Sequence, residues 1–432
     1  MSLYLKEIRG EVNTEITNEY ASNLGGILGN FLSTESRINL GRDDEPASQM
    51  ISRALTAGIM ASGKSVADFG VVPTPVAHFL SSFLNGNLLL IITTHHNIVS
   101  IAIYSNYQIH LKQKRPENVH GEDLGRISHV NILMDTYQKS VLEQINHQNI
   151  KTKKPKIILG CEDKNVIPYI SEILNSLGVE TVIITYGSGD NINRRMEVEP
   201  ENISLISSMV KSISADLGII LVNNGERAIF IDENGDTIRD QTILSIFAMD
   251  MLKRQRGTVI SSVVASLSLD DVVNRYQGKL KKTGVNSILR ELENPDVIFA
   301  GDEPGLYIFP QFQLCSDGIF ASIMLLDMIC SEDKPLSKLA SEIPEYNRTG
   351  FSVPCDHELK SYALDLLKKE LEDKGDLTTD DGVRADLKNS YILIRPSSFQ
   401  PRLKIYLEAK SPAELNKLTE EINKVLNIIQ SS

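Results

Sequence analysis

The 432-residue chain lacks the features of membrane, secreted and nucleic-acid-binding proteins. It has no run of 18 or more apolar residues, so no transmembrane helix is predicted. Its N-terminus lacks the basic-then-apolar pattern of a signal peptide. The net charge is -12 and basic residues form no stripe, which argues against a nucleic-acid partner. We therefore expect a cytoplasmic protein that binds neither nucleic acid nor a membrane.

Tryptophan is absent and cysteine is scarce. Cys161, Cys315, Cys330 and Cys355 have no CxxC spacing, so the sequence contains no zinc or redox motif of that kind. We expect these residues to be small buried side chains in a reducing compartment. The absence of tryptophan carries no functional message.

The chain is too long for a single hydrophobic core, and two to four domains are expected. In the first 150 residues, strand-like runs at 37–41, 65–69 and 88–93 alternate with helical patterns at 18–32 and 47–62. This alternation predicts an α/β domain with a mixed or mostly parallel sheet.

The same rhythm restarts twice, after a predicted linker at 151–155 and at Gly257, which indicates a weak internal repeat of one α/β unit. A polar loop is expected at 187–197. The last 80 residues or so differ, and they predict a small α+β domain. The expected domains are therefore 1–150, 151–252, 253–350 and 351–432.

Seven motifs in this framework resemble, in order and spacing, those of the alpha-D-phosphohexomutase family, which includes phosphomannomutases and phosphoglucomutases. They are IRG at 8–10, GRDDEP at 41–46, DFGVVPTP at 68–75, TTHHN at 93–97, ADLGIILVNNGERAIFIDENGD at 215–236, GDEPGLYIFPQF at 301–312, and DGVRADLKNSYILIRPSSFQPRLKIYLEAKS at 381–411. The resemblance spans essentially the whole chain. It implies three similar α/β domains with mixed sheets and a C-terminal α+β domain, arranged around a central cleft.

The resemblance also implies a reaction, the transfer of a phosphoryl group between O6 and O1 of a hexose. In the family, a phosphoserine donates the group, and Mg²⁺ held by three aspartates neutralises its charge. Such a division of labour suits phosphoryl transfer, in which positioning and charge neutralisation supply most of the catalysis. Each of the four functional loops departs from the family pattern in this chain.

His95 stands at the position of the family's phosphate-carrying serine, and His96 and Asn97 match the family's next two residues. Histidine carries phosphate on nitrogen in principle, but its reactive atom lies further from the backbone. We favour the interpretation that His95 only fills the loop. Three hydroxyls nearby are alternative phosphate carriers, although none occupies the matched position: Thr93, Thr94 and Ser100.

The three metal-binding aspartates of the family correspond to Val222, Asn224 and Glu226. Because valine offers no ligand and asparagine only a neutral oxygen, a tight Mg²⁺ site is not expected. Asn224 and Glu226 remain weak candidate ligands. Arg227 matches a family arginine, and it either meets a phosphate or stabilises the turn.

The sugar-binding and phosphate-binding loops are altered as well. Asp302, Pro304 and Leu306 replace residues that grip sugar hydroxyls in the family, and Glu303 follows Asp302 directly. In the phosphate loop Arg395 and Ser397 are kept as anion donors, whereas Ser398 and Phe399 replace a glycine and a hydroxyl residue. Three further cations are candidates for phosphate binding: Arg9, Arg42 and Lys282.

Two hypotheses follow from these departures. The first is a pseudoenzyme with a binding, regulatory or subunit role in sugar-phosphate metabolism. The second is an active but divergent phosphohexomutase that uses His95 or a nearby hydroxyl. A hexose phosphate is the expected small ligand, and a homodimer or a complex with an intact mutase is the expected assembly.

Overall fold

The computed structural model describes residues 4–32, 37–106, 116–130, 133–186, 198–373, 375–397 and 400–431. The polar loop expected at 187–197 lies outside these residues, as do Ser398 and Phe399. The chain divides into two compact units. Unit 1 comprises residues 1–238 and 304–337, and unit 2 comprises residues 239–303 and 338–432.

The elements up to the end of the seventh helix are, in chain order, β1 (Tyr4–Glu11), α1 (Asn18–Phe31), β2 (Arg37–Arg42), α2 (Pro46–Ala61), β3 (Ser65–Val71), α3 (Thr74–Phe83), β4 (Leu88–His95), β5 (Ile98–Ser105), β6 (Ile127–His129), α4 (Leu133–Glu143), α5 (His147–Lys153), β7 (Lys156–Cys161), α6 (Ile167–Ser176), β8 (Glu180–Thr185) and α7 (Pro200–Ile213).

The remaining elements are β9 (Leu217–Val222), β10 (Arg227–Ile231), α8 (Asp240–Arg254), β11 (Thr258–Ser262), α9 (Leu267–Arg275), β12 (Lys279–Thr283), α10 (Ile288–Glu291), β13 (Val297–Asp302), β14 (Leu306–Ile308), α11 (Gly318–Glu332), α12 (Leu336–Ser341), β15 (Asn347–Pro354), α13 (Lys360–Glu372), β16 (Asp376–Thr378), β17 (Val383–Asp386), β18 (Ser390–Pro396), β19 (Arg402–Ala409) and α14 (Pro412–Ser431).

Unit 1 contains a six-stranded mixed sheet in the order β1-β5-β4-β2-β3-β6. Strand β2 is parallel to β3 and β4, whereas β5 is antiparallel to both β1 and β4. As a result, the carboxyl ends of β1, β2 and β4 lie at one edge of the sheet. The helices α1 and α2 pack so closely that glycine is required at the contact. A Cβ on Gly25 would lie 2.2 Å from Leu55 O, and a Cβ on Gly58 would lie 1.8 Å from Ser22 O.

Unit 1 also contains a second group of strands in the order β14-β10-β9-β7-β8. Strand β7 is parallel to β8 and β9, and β10 is antiparallel to β9. The carboxyl ends of β7 and β9 therefore lie side by side. The stretch expected as a linker at 151–155 is instead the end of α5, where Lys154 adopts a left-handed conformation (φ 49°).

Unit 2 contains three parallel strands in the order β12-β11-β13 and a five-stranded antiparallel sheet in the order β15-β19-β18-β17-β16. Residues from α13 and α14, among them Leu367, Leu371 and Ile422, pack on the antiparallel sheet in one apolar cluster. The α/β class with mixed sheets and the C-terminal α+β portion are thus confirmed. The four domain boundaries stay a prediction.

None of the described helices is long and apolar enough to cross a bilayer. The four cysteines are free. Cys161, Cys315 and Cys330 are buried as predicted, whereas Cys355 is only half-buried, so the prediction is wrong for that residue.

Candidate functional site

His95 is the last residue of β4, and His96 and Asn97 form the tight turn that leads into β5. His96 has φ 51°, a left-handed conformation that histidine adopts more readily than most residues. The rings of His95 and His96 lie 4.5 Å apart between centroids. His95 Nδ1 lies 3.9 Å from Glu162 Oε1, a carboxylate at the carboxyl end of β7. The turn thus presents two imidazoles beside an acidic side chain.

A buried carboxylate anchors the strand that carries His95. Thr94 N donates to Asp43 Oδ2 at 2.6 Å, and the hydroxyls of Ser48 and Thr94 lie 2.7 Å apart. Burial raises the pKa of Asp43 to about 6, although hydrogen bonds from Ser48, Thr94 and Glu45 oppose this shift. Asp43 therefore fixes the end of β4 and carries a proton for part of the time near neutral pH.

Arg9 and Arg42 lie at the same sheet edge as His95, as the resemblance implied. Arg9 opposes Ser100 on β5, and Arg42 opposes Ile92 on β4. Each arginine already has an acceptor within this portion of the chain. Arg9 Nε donates to Glu7 Oε1 at 2.6 Å, and Arg42 Nη1 donates to Asp43 O at 2.8 Å.

The turn at the predicted metal-binding position, residues 223–225, is held by hydrogen bonds to other segments of unit 1. Asn223, Asn224 and Gly225 have φ values of 52°, 52° and 83°, so three successive residues are left-handed. Asn224 is 4% exposed. Its Oδ1 accepts from Asn165 Nδ2, its Nδ2 donates to Thr74 Oγ1 at 3.0 Å, and its backbone N donates to Asp163 Oδ2 at 2.6 Å.

Glu226 follows this turn and is half-buried. It accepts hydrogen bonds from Asn223 Nδ2 and from Tyr104 OH, the latter at 3.4 Å. Burial raises the pKa of Glu226, and the charge of Arg227 lowers it by less. Arg227 Nη1 donates to the carbonyl oxygen of Pro304, so the arginine stabilises the neighbouring chain.

These donors do not fit a magnesium ion. Mg²⁺ prefers charged oxygen ligands in octahedral geometry. The turn offers one half-buried carboxylate, Glu226, and one amide oxygen, Asn224 Oδ1, which accepts from Asn165. Val222, 3% exposed, belongs to the apolar cluster beneath α7. Within the described ranges, no group of three or more His, Cys, Asp or Glu side chains could hold a metal.

In unit 2, Asp302 and Glu303 point to different partners. Asp302 is 6% exposed, and its Oδ1 accepts from Ser262 Oγ at 2.5 Å. Arg348 Nη1 donates to both carboxylate oxygens of Glu303, at 3.0 and 3.2 Å. Burial raises the pKa of Glu303 to about 7, and the charge of Arg348 limits the rise. A cavity of about 800 Å³ opens beside Glu303, Arg348 and Tyr406.

The remaining predicted phosphate-binding residues also lie in unit 2. Lys282, with its side chain 9% exposed, donates to Asp270 Oδ1 at 2.8 Å and to Asp386 at 3.4 Å. Arg395 Nη2 donates to Asp381 Oδ2. Burial acts to raise the pKa of Asp386, but hydrogen bonds and charge from Arg384 and Lys282 lower it overall. Both phosphate-binding candidates are therefore neutralised by carboxylates.

Ser397 begins the phosphate-loop segment, and its Oγ accepts from Gln400 N at 3.3 Å. Ser398, also predicted to contact the ligand, lies outside the described residues. The Nε of Arg395 is buried and has no hydrogen-bond acceptor among the residues that the structure describes. Arg395 Nε is therefore available as a hydrogen-bond donor to a bound anion.

Sequence reasoning missed the residues that hold these positions in place. Glu162 and Asp163 follow β7 at its carboxyl end, where parallel sheets commonly carry functional side chains, so that rule could have found them. Thr74 and Asn165 gave no such signal, because their importance depends on contacts with a residue distant in sequence, Asn224.

Comparisons with known proteins agree with this fold. Family models described as phosphoglucomutase/phosphomannomutase alpha/beta/alpha domain I, alpha/beta/alpha domain III and C-terminal domain match residues 3–110, 239–346 and 354–425. A probable phosphoglucosamine mutase of Pyrococcus furiosus is 30% identical over 437 residues, which cover 96% of this chain and 95% of that protein. The chain therefore belongs to the alpha-D-phosphohexomutase family.

Two solved structures extend the comparison. A phosphoglucomutase/phosphomannomutase family protein of Burkholderia thailandensis has a TM-score of 0.84 at 20% identity, covering 99% of this chain and 97% of its own. The N-acetylphosphoglucosamine mutase of Aspergillus fumigatus, solved with GlcNAc-6P and magnesium, has a TM-score of 0.55 at 12% identity, covering 92% and 79%. Magnesium is thus a ligand of a family member, although the donors of this chain do not fit it.

Proposed function

We propose that this chain is a non-catalytic phosphohexomutase-family protein that binds a hexose phosphate and serves a regulatory or subunit role in sugar-phosphate metabolism. The observation that carries the proposal is the closed turn at Asn224. A mutase must neutralise the charge of the moving phosphoryl group, and this turn supplies one half-buried carboxylate and an amide whose oxygen already accepts a hydrogen bond.

Ligand binding without turnover is supported by the phosphate loop. Arg395 keeps a buried Nε that has no acceptor among the described residues, and Ser397 keeps a hydroxyl. A guanidinium and a hydroxyl are strong donors to phosphate oxygens. The ion pair with Asp381 orients the guanidinium, and a phosphate would compete with that carboxylate for it.

Calorimetric titration with glucose 1-phosphate tests the binding part of the proposal. The wild-type protein should bind the ligand, and addition of Mg²⁺ should leave the affinity unchanged. Arg395→Gln should weaken binding by about tenfold or more, because a charge-assisted hydrogen bond is lost. Arg402→Gln is the matched control, since Arg402 is exposed on β19 next to the loop. Absence of binding by the wild type would refute the proposal.

The alternative, an active divergent mutase, is favoured by one feature. His95 lies beside Glu162, and a carboxylate near an imidazole can orient the ring and support a charged intermediate. If His95 carries phosphate, the intact mass of the protein should rise by one phosphoryl group after incubation with a hexose 1,6-bisphosphate. The pseudoenzyme proposal predicts no phosphorylated peptide containing residues 93–97.

The proposed subunit role implies a protein partner, either a second copy of the chain or an intact mutase. Light scattering on the purified protein distinguishes a monomer from a homodimer. Copurification from the native cell, followed by identification of the partner, tests the complex with an intact mutase.

A further inference from the structure

Lys360 is a buried cation in an unusual position. It is the first residue of α13 and is 7% exposed. The N-terminal end of a helix carries a partial positive charge, so a lysine there gains nothing from the helix dipole. None of the described carboxylates forms an ion pair with it, in contrast to Lys282, which contacts Asp270 and Asp386.

The contacts of Lys360 account for its position. Its Nζ donates to Ser397 O at 2.5 Å and to Gln400 O at 2.7 Å, and it lies 3.1 Å from His357 Nδ1. An ammonium group has three hydrogens, so the two carbonyls take two of them, and His357 Nδ1 takes the third in the tautomer that leaves this nitrogen unprotonated. The two carbonyls belong to the phosphate loop, one on each side of residues 398–399. The ammonium therefore joins both ends of that loop from the protein interior.

The charge of Lys360 is only partly compensated. The carbonyl dipoles of Ser397 and Gln400 offset part of the cost of burying the ammonium. An apolar side chain of similar length would leave both carbonyl oxygens without this donor. The positive charge also makes the potential at the loop more positive, which favours an anion there.

We propose that Lys360 is a positioning residue for anion binding, which fixes the backbone at Ser397 and Gln400 and adds positive potential beside Arg395 and Ser397. This inference rests on the proposed function, in which Arg395 and Ser397 bind the phosphate of a hexose phosphate. Lys360 itself touches the loop backbone and not the ligand.

The test uses inorganic phosphate as the probe and the full-length protein. Lys360→Met keeps the length of the side chain and removes the charge and all three donors. We expect its affinity for phosphate to fall by about tenfold or more relative to the wild type. The matched control is Lys368→Met, since Lys368 is exposed on the same helix. This variant should bind phosphate as the wild type does.

Hydrogen exchange without ligand provides an independent readout. The loop is closed by Ser397 N donating to Arg402 O and by Arg402 N donating to Gln400 O. In Lys360→Met, exchange should accelerate in the peptide that contains these amides, whereas exchange in the sheet of unit 2 should stay unchanged. A merely stabilising role would instead accelerate exchange throughout unit 2, and that result would overturn the proposal.

The outcomes separate the two claims. If wild-type protein binds no phosphate, the proposed function fails, and hydrogen exchange alone decides whether Lys360 positions the loop. A folded Lys360→Met variant with unchanged phosphate affinity and unchanged loop exchange refutes the inference.

If that variant does not fold, Lys360→Gln replaces it, because glutamine keeps two donors without the charge. Weaker phosphate binding by Lys360→Gln with the loop amides still protected supports the inference, and unchanged affinity refutes it.

Discussion

At the scale of single residues, Asn224 has a structural role at a position where the motif resemblance predicts a metal ligand. Its side chain joins Asn165 to Thr74, and its backbone N donates to Asp163. The amide is suited to this place because it both donates and accepts. An ionised aspartate at position 224 could still accept from Asn165, but it has no N–H to donate to Thr74 Oγ1 or Val72 O.

The variant Asn224→Asp tests this reasoning. The new carboxylate would lose the hydrogen bonds donated to Thr74 Oγ1 and Val72 O and would face that carbonyl oxygen, so we expect unfolding to become easier by about 1–3 kcal/mol. The matched control is Asn234→Asp in the exposed turn after β10, which should change stability by less than about 0.5 kcal/mol. Urea denaturation compares the two. Equal stabilities would show that the Asn224 network contributes nothing.

Glu303 gives a prediction about pH. Its pKa in the folded protein rises from an ordinary value of 4.5 to about 7 because the carboxyl is buried. Between these two values the folded protein binds more protons at this residue than the unfolded chain does. The free energy of unfolding therefore decreases as the pH rises through this range.

The variant Glu303→Gln does not titrate, so it should lose less stability than the wild type between pH 5 and pH 8. The difference between the two proteins should be about 1–3 kcal/mol over this range, measured by urea denaturation at both pH values. Glu303→Gln also removes the ion pair with Arg348. This loss lowers the stability of the variant by the same amount at both pH values, so it cancels when the change between pH 5 and pH 8 is compared. Glu345→Gln, at the exposed rim of the same cavity, should follow the wild type.

At the scale of elements, the start of α11 combines a helix cap with a buried hydrogen-bond cluster. Asp317 Oδ1 accepts from Phe320 N at 2.8 Å, which caps the helix. Its Oδ2 accepts from Tyr137 OH at 2.7 Å and from Gln313 Nε2 at 2.6 Å. Tyr137 is 1% exposed, so its hydroxyl depends on this acceptor.

The variant Asp317→Ala should destabilise the protein by about 3 kcal/mol, because it removes the cap and leaves buried donors without an acceptor. Thr17→Ala is the comparison. Thr17 caps α1 through a single bond from Tyr20 N, so its loss should cost only about 1 kcal/mol. Thermal and urea unfolding measure both effects. If the two variants are destabilised equally, the buried cluster adds nothing to the cap.

The sequence predicted most elements well where periodicity was clear. Strand β2 begins at the predicted residue and ends one residue later, and α1 ends one residue earlier than predicted. Helix α3 was not predicted, because Pro73 and Pro75 suggested a turn although proline is also common at a helix start. Helix α8 was missed for another reason. It is buried on most faces, so it shows little alternation between polar and apolar residues.

The candidate site was predictable only in part. The motifs predicted Arg9, Arg42 and His95 as site residues, and the strand pairing brings the three to one sheet edge, although their roles stay a prediction. The partners that neutralise the candidate cations, such as Asp270 for Lys282, follow no motif. Such pairs depend on side-chain geometry, which periodicity does not determine.

At the scale of the whole molecule, the chain belongs to the phosphohexomutase family, and the proposal concerns whether it performs the family's reaction. The match extends over 96% of the chain, so the fold is inherited as a whole. The residues that perform phosphoryl transfer are a small subset, and a scaffold can persist after they change. In this chain the motif resemblance assigns His95 to the family's serine position and Asn224 to a metal-binding position, and Asn224 is hydrogen-bonded to Asn165.

Turnover measured by phosphorus NMR tests the central claim most directly. The protein is incubated with Mg²⁺, glucose 1-phosphate or mannose 1-phosphate, and a trace of the corresponding 1,6-bisphosphate, with an active mutase as positive control. We predict that no hexose 6-phosphate forms above the rate without protein. Formation of the 6-phosphate that is abolished by His95→Ala would contradict the account and establish an active mutase.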